Sequence, residues 1–182
     1  MEEVITLRPN GSPLVCIKNY EAPCGTLVLG SVGDKICLCD WEGSRQRFSN
    51  DRRIVQALRT IYKVVDSPAN VEAARQLDEY FAGERREFTV PLLFIGTEFQ
   101  RKVWNEILKI PYGEVVTYSD VAARCGRPKA ARAVAKACAA NAIAVLTPCH
   151  RVVGAESTDS TGYSGGNSTR EYLLGLEKGE LS

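Results

Sequence analysis

Apolar and polar positions divide the first half of the chain into strands followed by helices. Residues 26–31 and 35–39 are apolar-rich runs on either side of Gly33, a pattern that predicts two neighbouring strands. Asp51 is predicted to cap one helix and Asn70 a second one. Apolar residues at helical spacing support both helices: Ile54, Leu58, Ile61 and Tyr62 in the first, and Ala73, Leu77, Tyr80 and Phe81 in the second. We interpret this half as a small sheet with helices that acts mainly as a scaffold.

The second half is predicted to be mostly helical. Residues 88–96 contain a proline and predict an extended linker, after which Thr97 caps a helix. The core positions of that helix are Phe99, Val103, Trp104 and Ile107. A short helix over 118–124, capped by Thr117 or Ser119, and another helix over 129–140 then flank Gly126. Helix, short glycine turn and helix together form the outline of a helix-turn-helix.

The helix over 129–140 carries its own start and stop signals. Pro128 is predicted as its first residue, because proline lacks the N–H that is unpaired at that position. Asn141 is predicted to end it in the left-handed conformation. The helix is rich in alanine, which favours helix formation and leaves a slim surface for close approach to another molecule.

Composition indicates a folded globular protein of one domain or two small ones. The chain has 182 residues, of which 45% are hydrophobic and 25% charged. No apolar run reaches the roughly 18 residues of a membrane helix, and the Met1-Glu2-Glu3 start does not resemble an export signal. We therefore expect a cytoplasmic protein, or a nuclear one in a eukaryote, with its seven cysteines reduced.

Basic residues are concentrated in one stretch although the net charge is only +1. Between residues 121 and 155 there are six basic residues and no acidic one: Arg124, Arg127, Lys129, Arg132, Lys136 and Arg151. Such a cluster on a helix-turn-helix is typical of a duplex-binding surface. A solvated helix face balanced by acids from the first half explains the same composition equally well.

The candidate chemistry lies just after this stretch. The buried-type run 142–146 leads to Cys149, followed by His150, the only histidine, and by Arg151. Cationic or proton-accepting neighbours favour a nucleophilic thiolate, although a bare Cys-His pair is more often an inert core pair. A last helix over 168–178 carries Glu171 and Glu177, and a carboxylate there is able to orient the imidazole.

Taken together, these residues resemble the O6-alkylguanine-DNA alkyltransferase family, also called methylated-DNA–protein-cysteine methyltransferases. The matching elements are Tyr118, Arg132-Ala133-Val134, Asn141, Pro-Cys-His-Arg-Val over 148–152 and Tyr-Ser-Gly-Gly over 163–166. The similarity covers about residues 96–177. It implies an α+β fold with a ribonuclease H-like domain over 1–92. Over 93–182 it implies a mostly helical DNA-binding domain with a helix-turn-helix of winged-helix type.

The resemblance also implies a role for each matching residue. Cys149 would accept the alkyl group from O6-alkylguanine, activated by His150 through a water and by Glu177. Tyr118 would donate to the leaving purine, Arg132 would enter the base stack as a finger, and Asn141 would act as a hinge. The base pocket would be lined by Val152, Tyr163, Ser164 and Cys138. The surface facing the minor groove of duplex DNA would include Ala131, Ala133, Lys129 and Arg151 beside Arg132.

The same resemblance implies a monomeric protein. It also implies that no cofactor is needed, because the lesion itself is the alkyl donor, and that each protein molecule repairs one lesion and is then spent. Cys138 is smaller than the wall residue usual in the family, and the loop over 153–162 leaves the pocket size open. Some relatives bind zinc in the first half, where a four-thiolate site of Cys16, Cys24, Cys37 and Cys39 is an alternative to simple packing. Rival functions are a lesion sensor, which would lack Cys149, a Cys-His hydrolase with multiple turnovers, and a sequence-specific regulator.

Overall fold

The first half of the chain folds into a four-stranded sheet with two helices. We describe residue 11, residues 13–155 and residues 163–180, as placed by a computed structural model. The elements are β1 (Val15–Ala22), β2 (Gly25–Val32), β3 (Lys35–Trp41), α1 (Arg47–Leu58), β4 (Tyr62–Val64) and α2 (Pro68–Phe81). The strand order is β3-β2-β1-β4, with β1 antiparallel to β2, β2 antiparallel to β3, and β1 parallel to β4.

The predicted strand pair is confirmed and forms the most buried part of this sheet. Leu27, Leu29 and Ile36 are fully inaccessible to solvent, and α2 packs across β1, β2 and β3 through Leu77 and Tyr80. Burying large apolar side chains on both sides of a strand pair is the dominant favourable contribution to such a fold. The sheet therefore offers a well-packed edge at β3, against which another segment of the chain is able to pack.

The second half is mostly helical, so the α+β fold with an N-terminal sheet domain and a C-terminal helical domain is confirmed. Its elements are α3 (Glu98–Ile107), β5 (Val116–Thr117), α4 (Tyr118–Arg124), α5 (Ala131–Ala139), a 3₁₀ turn (Cys149–Arg151), β6 (Val152–Val153) and α6 (Asn167–Glu177). β5 and β6 form a short parallel pair. Helices α4 and α5 pack on each other and on α3. No helix among the described residues is both long and apolar enough to cross a membrane.

One hydrophobic core is shared between the two halves. The predicted buried run over 142–146 lies along the edge of β3, where the Cys39 N–H donates to the Ala142 carbonyl at 2.8 Å. The Ala144 N–H donates in turn to the Cys39 carbonyl at 2.6 Å. Val145 and Leu146 then pack among the side chains of β2 and α2. The segment that leads to Cys149 is thus fixed by the sheet of the first half, while the domain boundary at 92/93 stays a prediction.

Several helix boundaries differ from those predicted. Asp51 lies inside α1, where its carboxylate accepts hydrogen bonds from Arg47 and Tyr62 at 2.9 Å instead of capping the helix. Ser67 caps α2, while the Asn70 side chain is buried and donates to the Cys16 carbonyl. Neither side chain is at the N-cap position of its helix, and each bonds a residue of a neighbouring strand, Tyr62 for Asp51 and Cys16 for Asn70.

The start and end of α5 also need correction. Pro128 is not its first residue, because a turn in which the Ala130 N–H donates to the Arg127 carbonyl at 2.8 Å precedes the helix. Asn141 is not in the left-handed region. The predicted cap at Thr97 is confirmed, with a full capping box to Gln100.

Candidate functional site

Cys149 begins the 3₁₀ turn at the end of the buried run and is 6% exposed. The run reaches it through a strained turn, since Val145 has φ +66° although it is β-branched and buried. Such a backbone costs about 1–3 kcal/mol and persists only where the surrounding packing requires it. The position of the thiol is therefore imposed by the sheet beneath it.

Asn141 connects the end of α5 to this turn through its side chain. Its amide nitrogen lies 3.1 Å from Cys149 Sγ and 3.2 Å from the carbonyl oxygens of Ile143 and Thr147. Its amide oxygen accepts from the Ile143 N–H at 2.9 Å. Asn141 is 2% exposed, so these bonds are shielded from water and hold the sulfur beside an N–H donor.

Glu177 collects hydrogen-bond donors from three parts of the chain. Oε1 lies 2.7 Å from His150 Nε2, 2.7 Å from Tyr80 Oη and 2.9 Å from Arg151 Nη2. Oε2 accepts from Arg151 Nε at 2.8 Å and from the Gly113 N–H at 3.1 Å. Burial alone would raise the pKa of Glu177, but the hydrogen bonds from His150 and Arg151, together with the positive charge of Arg151, outweigh it and hold that pKa well below its usual range.

The ionised carboxylate decides the tautomer of His150. A carboxylate only accepts, so Nε2 carries the proton and Nδ1 carries the lone pair. Among the described residues, Nδ1 is buried without a hydrogen-bond partner. Burial lowers the pKa of His150, with Glu177 opposing and Arg151 and Arg170 supporting the decrease, so the imidazole is neutral at pH 7 and able to accept a proton at Nδ1.

The titration of His150 provides a direct check, since the chain has a single histidine. We expect its NMR ring signal to titrate below pH 6.5 in the folded protein and near pH 6.5 in denaturant. The unfolded chain then binds the proton first, so folding stability should fall as the pH drops below about 6.5. A folded-state midpoint at or above 6.5 would contradict the lowering of the His150 pKa by burial.

A small cavity of about 10 Å³ lies directly over the sulfur. Five of the residues that line it were predicted as site residues, and Arg170 was not. The five are Tyr118, Cys138, Cys149, Val152 and Tyr163. The hydrogen bond between Cys138 and Cys149, together with burial, raises the pKa of Cys138, which therefore keeps its proton. The cavity is far smaller than a purine, so a wall must move before a base enters. Ser164 lies outside this lining, in a neighbouring cleft, and the part of the 153–162 loop over 156–162 lies outside the described residues.

Arg170 is a site residue that the sequence did not predict, as is Tyr80, which donates to Glu177. Arg170 is 3% exposed, and its guanidinium donates to the carbonyl oxygens of His150 at 3.2 Å and Val152 at 2.7 Å. It thereby fixes the backbone on both sides of Arg151. The available signal was its spacing, because Arg170 and Glu177 are two turns apart on one face of α6.

The predicted surface residues separate into two groups. Lys129, Arg132 and Ala133 are exposed, and Ala131 is half-buried at the start of α5. Arg151, predicted on the DNA face, is instead 5% exposed, with its guanidinium bound to Glu177 and to the Ile110 carbonyl. Its charge neutralises the buried carboxylate, and a DNA-contact role does not fit this position. The other five cations of the basic stretch are exposed.

The alternative of a zinc site finds no support in the described part of the chain. There, no group of three or more His, Cys, Asp or Glu side chains lies close enough together to hold a metal ion. Cys16, Cys37 and Cys39 are buried in the sheet core, and burial raises their pKa values.

Comparison with known proteins accounts for both halves of the structure. Residues 16–94 match the family described as 6-O-methylguanine DNA methyltransferase, ribonuclease-like domain, and residues 98–179 match the DNA binding domain of the same family. The chain belongs to the 6-O-methylguanine DNA methyltransferase family. The family resemblance predicted from the 118–166 motifs is thereby confirmed.

Relatives match this methyltransferase family member over nearly its whole length. The constitutive methylated-DNA–protein-cysteine methyltransferase of Bacillus subtilis is 40% identical over 164 residues, which are 87% of this chain and 92% of the relative. The Mycobacterium leprae protein of the same description is 39% identical over 92% of this chain and 95% of its own. A crystal structure of Mycobacterium tuberculosis OGT in complex with DNA superposes with a TM-score of 0.77 at 38% identity, covering 91% of this chain and 94% of that one.

Proposed function

We propose that this protein is a DNA repair methyltransferase that flips O6-alkylguanine out of duplex DNA and transfers the alkyl group irreversibly to Cys149. The observation that carries the proposal is a single connected site. Cys149 lies beneath a cavity lined by Tyr118 and Tyr163, with an ionised Glu177 and a neutral His150 behind it. The relatives named as methylated-DNA–protein-cysteine methyltransferases support the reaction class.

Activation of the thiol follows from the hydrogen bonds of this network. His150 Nδ1 is the acceptor for the Cys149 proton, through a bridging water, while Glu177 stabilises the imidazolium that forms. The Asn141 amide donates to the sulfur at 3.1 Å and so holds it in place for the attack. The thiolate then attacks the alkyl carbon as the bond from that carbon to guanine O6 breaks.

The leaving guanine takes the electron pair of the broken bond and is neutralised by a proton from Tyr118, the first residue of α4. The product on the protein is a thioether, which water does not cleave. One protein molecule therefore repairs one lesion and is spent, and the lesion supplies the alkyl group without a cofactor.

DNA binding is proposed for the exposed face of α5 and the turn before it. Arg132 and Lys136 are four residues apart and so lie on one side of the helix, with Lys129 just before it. Ala133 leaves space beside Arg132 for the backbone of α5 to approach a minor groove. A stacked base is out of reach of Cys149, so the nucleotide must be flipped out at a cost of a few kcal/mol, with Arg132 filling the gap.

Mass spectrometry tests this function directly. After incubation with a duplex that contains one O6-methylguanine, the peptide with Cys149 should gain one methyl group per protein molecule. Cys149→Ala should gain none, whereas Cys125→Ala, which removes a buried thiol elsewhere in the helical half, should still be methylated. Undiminished transfer by Cys149→Ala, or repeated turnover without a mass change on the protein, would overturn the proposal.

A further inference from the structure

Tyr163 separates two spaces of very different size. On one side it lines the cavity of about 10 Å³ over Cys149. On the other side it lines a cleft of about 890 Å³ between the sheet domain and the start of α6. Of the described residues, Tyr163 is the one that lines both spaces, so a shift of its side chain toward the cleft would widen the cavity.

A residue of the first half holds Tyr163 in place. Trp41, the last residue of β3, is 4% exposed and also lines the cleft. Its indole Nε1–H donates to Tyr163 Oη at 3.2 Å, across 122 residues of sequence. The sheet fixes the backbone of Trp41 through its pairing with Leu27. Tyr163 is thus tied to the paired strands β2 and β3, the most buried part of the sheet.

Gly165 makes a second contact with the same indole. A Cβ atom at this position would lie 2.5 Å from Trp41 Nε1 and 2.7 Å from Trp41 Cδ1, closer than side-chain atoms approach. The indole therefore packs directly on the backbone two residues after Tyr163. Two contacts, one polar and one steric, define where this segment lies.

We propose that Trp41 is a positioning residue that sets the width of the base cavity through Tyr163, and with it the preference for small over bulky alkyl groups. This inference rests on the proposed alkyl transfer to Cys149. With the indole hydrogen bond removed, Tyr163 is free to shift into the cleft. The wall over Cys149 then yields more easily to a group larger than methyl.

The test compares two duplexes, one carrying O6-methylguanine and one carrying O6-benzylguanine, under single-turnover conditions. Trp41→Phe keeps an aromatic ring but loses the N–H. We expect the ratio of benzyl to methyl transfer rate constants to rise about 2- to 10-fold, the factor that corresponds to one neutral hydrogen bond. Tyr163→Phe removes the other partner and should raise the ratio similarly, with little further change in the double variant.

Trp104→Phe is the matched control. It removes the only other indole N–H of the chain, which donates to the Ala137 carbonyl at 2.8 Å and not to Tyr163. This variant should leave the ratio unchanged. An unchanged ratio in Trp41→Phe and Tyr163→Phe, or an equal rise in Trp104→Phe, would overturn this inference while leaving the proposed function intact. Absence of any transfer to Cys149 in the unmodified protein would instead reject the proposed function.

Discussion

Glu177→Gln should destabilise the protein by about 3–5 kcal/mol, because it leaves the buried Arg151 guanidinium without its counter-charge. In the described part of the chain, the groups that hydrogen-bond the Glu177 carboxylate are all donors, from His150, Tyr80, Arg151 and the Gly113 backbone. Glutamine has one acceptor oxygen instead of two, so its NH₂ must face at least one of these donors. The same change frees the tautomer of His150, and alkyl transfer should slow by about 10²-fold.

Chemical denaturation and single-turnover transfer assays measure the two effects separately. The transfer assay is run at a temperature at which the variant is fully folded. Glu171→Gln, an exposed position on the same helix α6, is the control and should change neither quantity appreciably. Stability within about 0.5 kcal/mol of the parent, or an unchanged transfer rate in Glu177→Gln, would contradict the role given to this carboxylate.

Arg132→Ala should slow alkyl transfer by about 10- to 100-fold while weakening DNA binding only about two- to threefold. The large effect follows because the side chain is proposed to offset part of the few kcal/mol that flipping costs. The small effect follows because one exposed cation is lost while four others of the basic stretch remain.

Lys136→Ala is the matched variant for Arg132→Ala, since it removes an equal charge one helical turn further along the exposed side of α5. It should weaken binding to a similar extent without changing the transfer rate of the bound complex. Binding is measured by fluorescence anisotropy, and transfer is measured with saturating duplex. Equal losses of binding and transfer in Arg132→Ala would argue against a finger role.

Local sequence patterns predicted most of the regular structure, and several of their failures arise where the folded chain supplies partners that a local pattern does not contain. The strands β2 and β3 and the helices α2, α3, α4 and α6 follow apolar periodicity. β1 was not predicted, because it mixes polar and apolar residues and gains its pairing from β2 and β4. Asp51 and Asn70 were assigned as caps, but in the folded chain their side chains bind partners that are distant in sequence.

The candidate site shows the same division. The sequence brings Cys149, His150 and Arg151 together by adjacency, and the family motif adds Tyr118, Asn141 and Glu177 as candidates. The basic stretch over 121–155 misled for Arg151, because it grouped this residue with the five exposed cations. Only the folded structure shows that the Arg151 guanidinium is buried and donates to the Glu177 carboxylate.

The amino-acid sequence specifies the chemical groups, namely the Cys149 thiol with the only imidazole beside it and a basic, alanine-rich helix before them. Which of these groups meet, and in what charge state, depends on the folded structure. Tyr80 and Trp41 of the first half reach Glu177 and Tyr163 of the second, and the strained Val145 turn presents the thiol. The physical reason is that burial shifts pKa values and fixes rotamers through contacts between segments far apart in the chain, which no local pattern encodes.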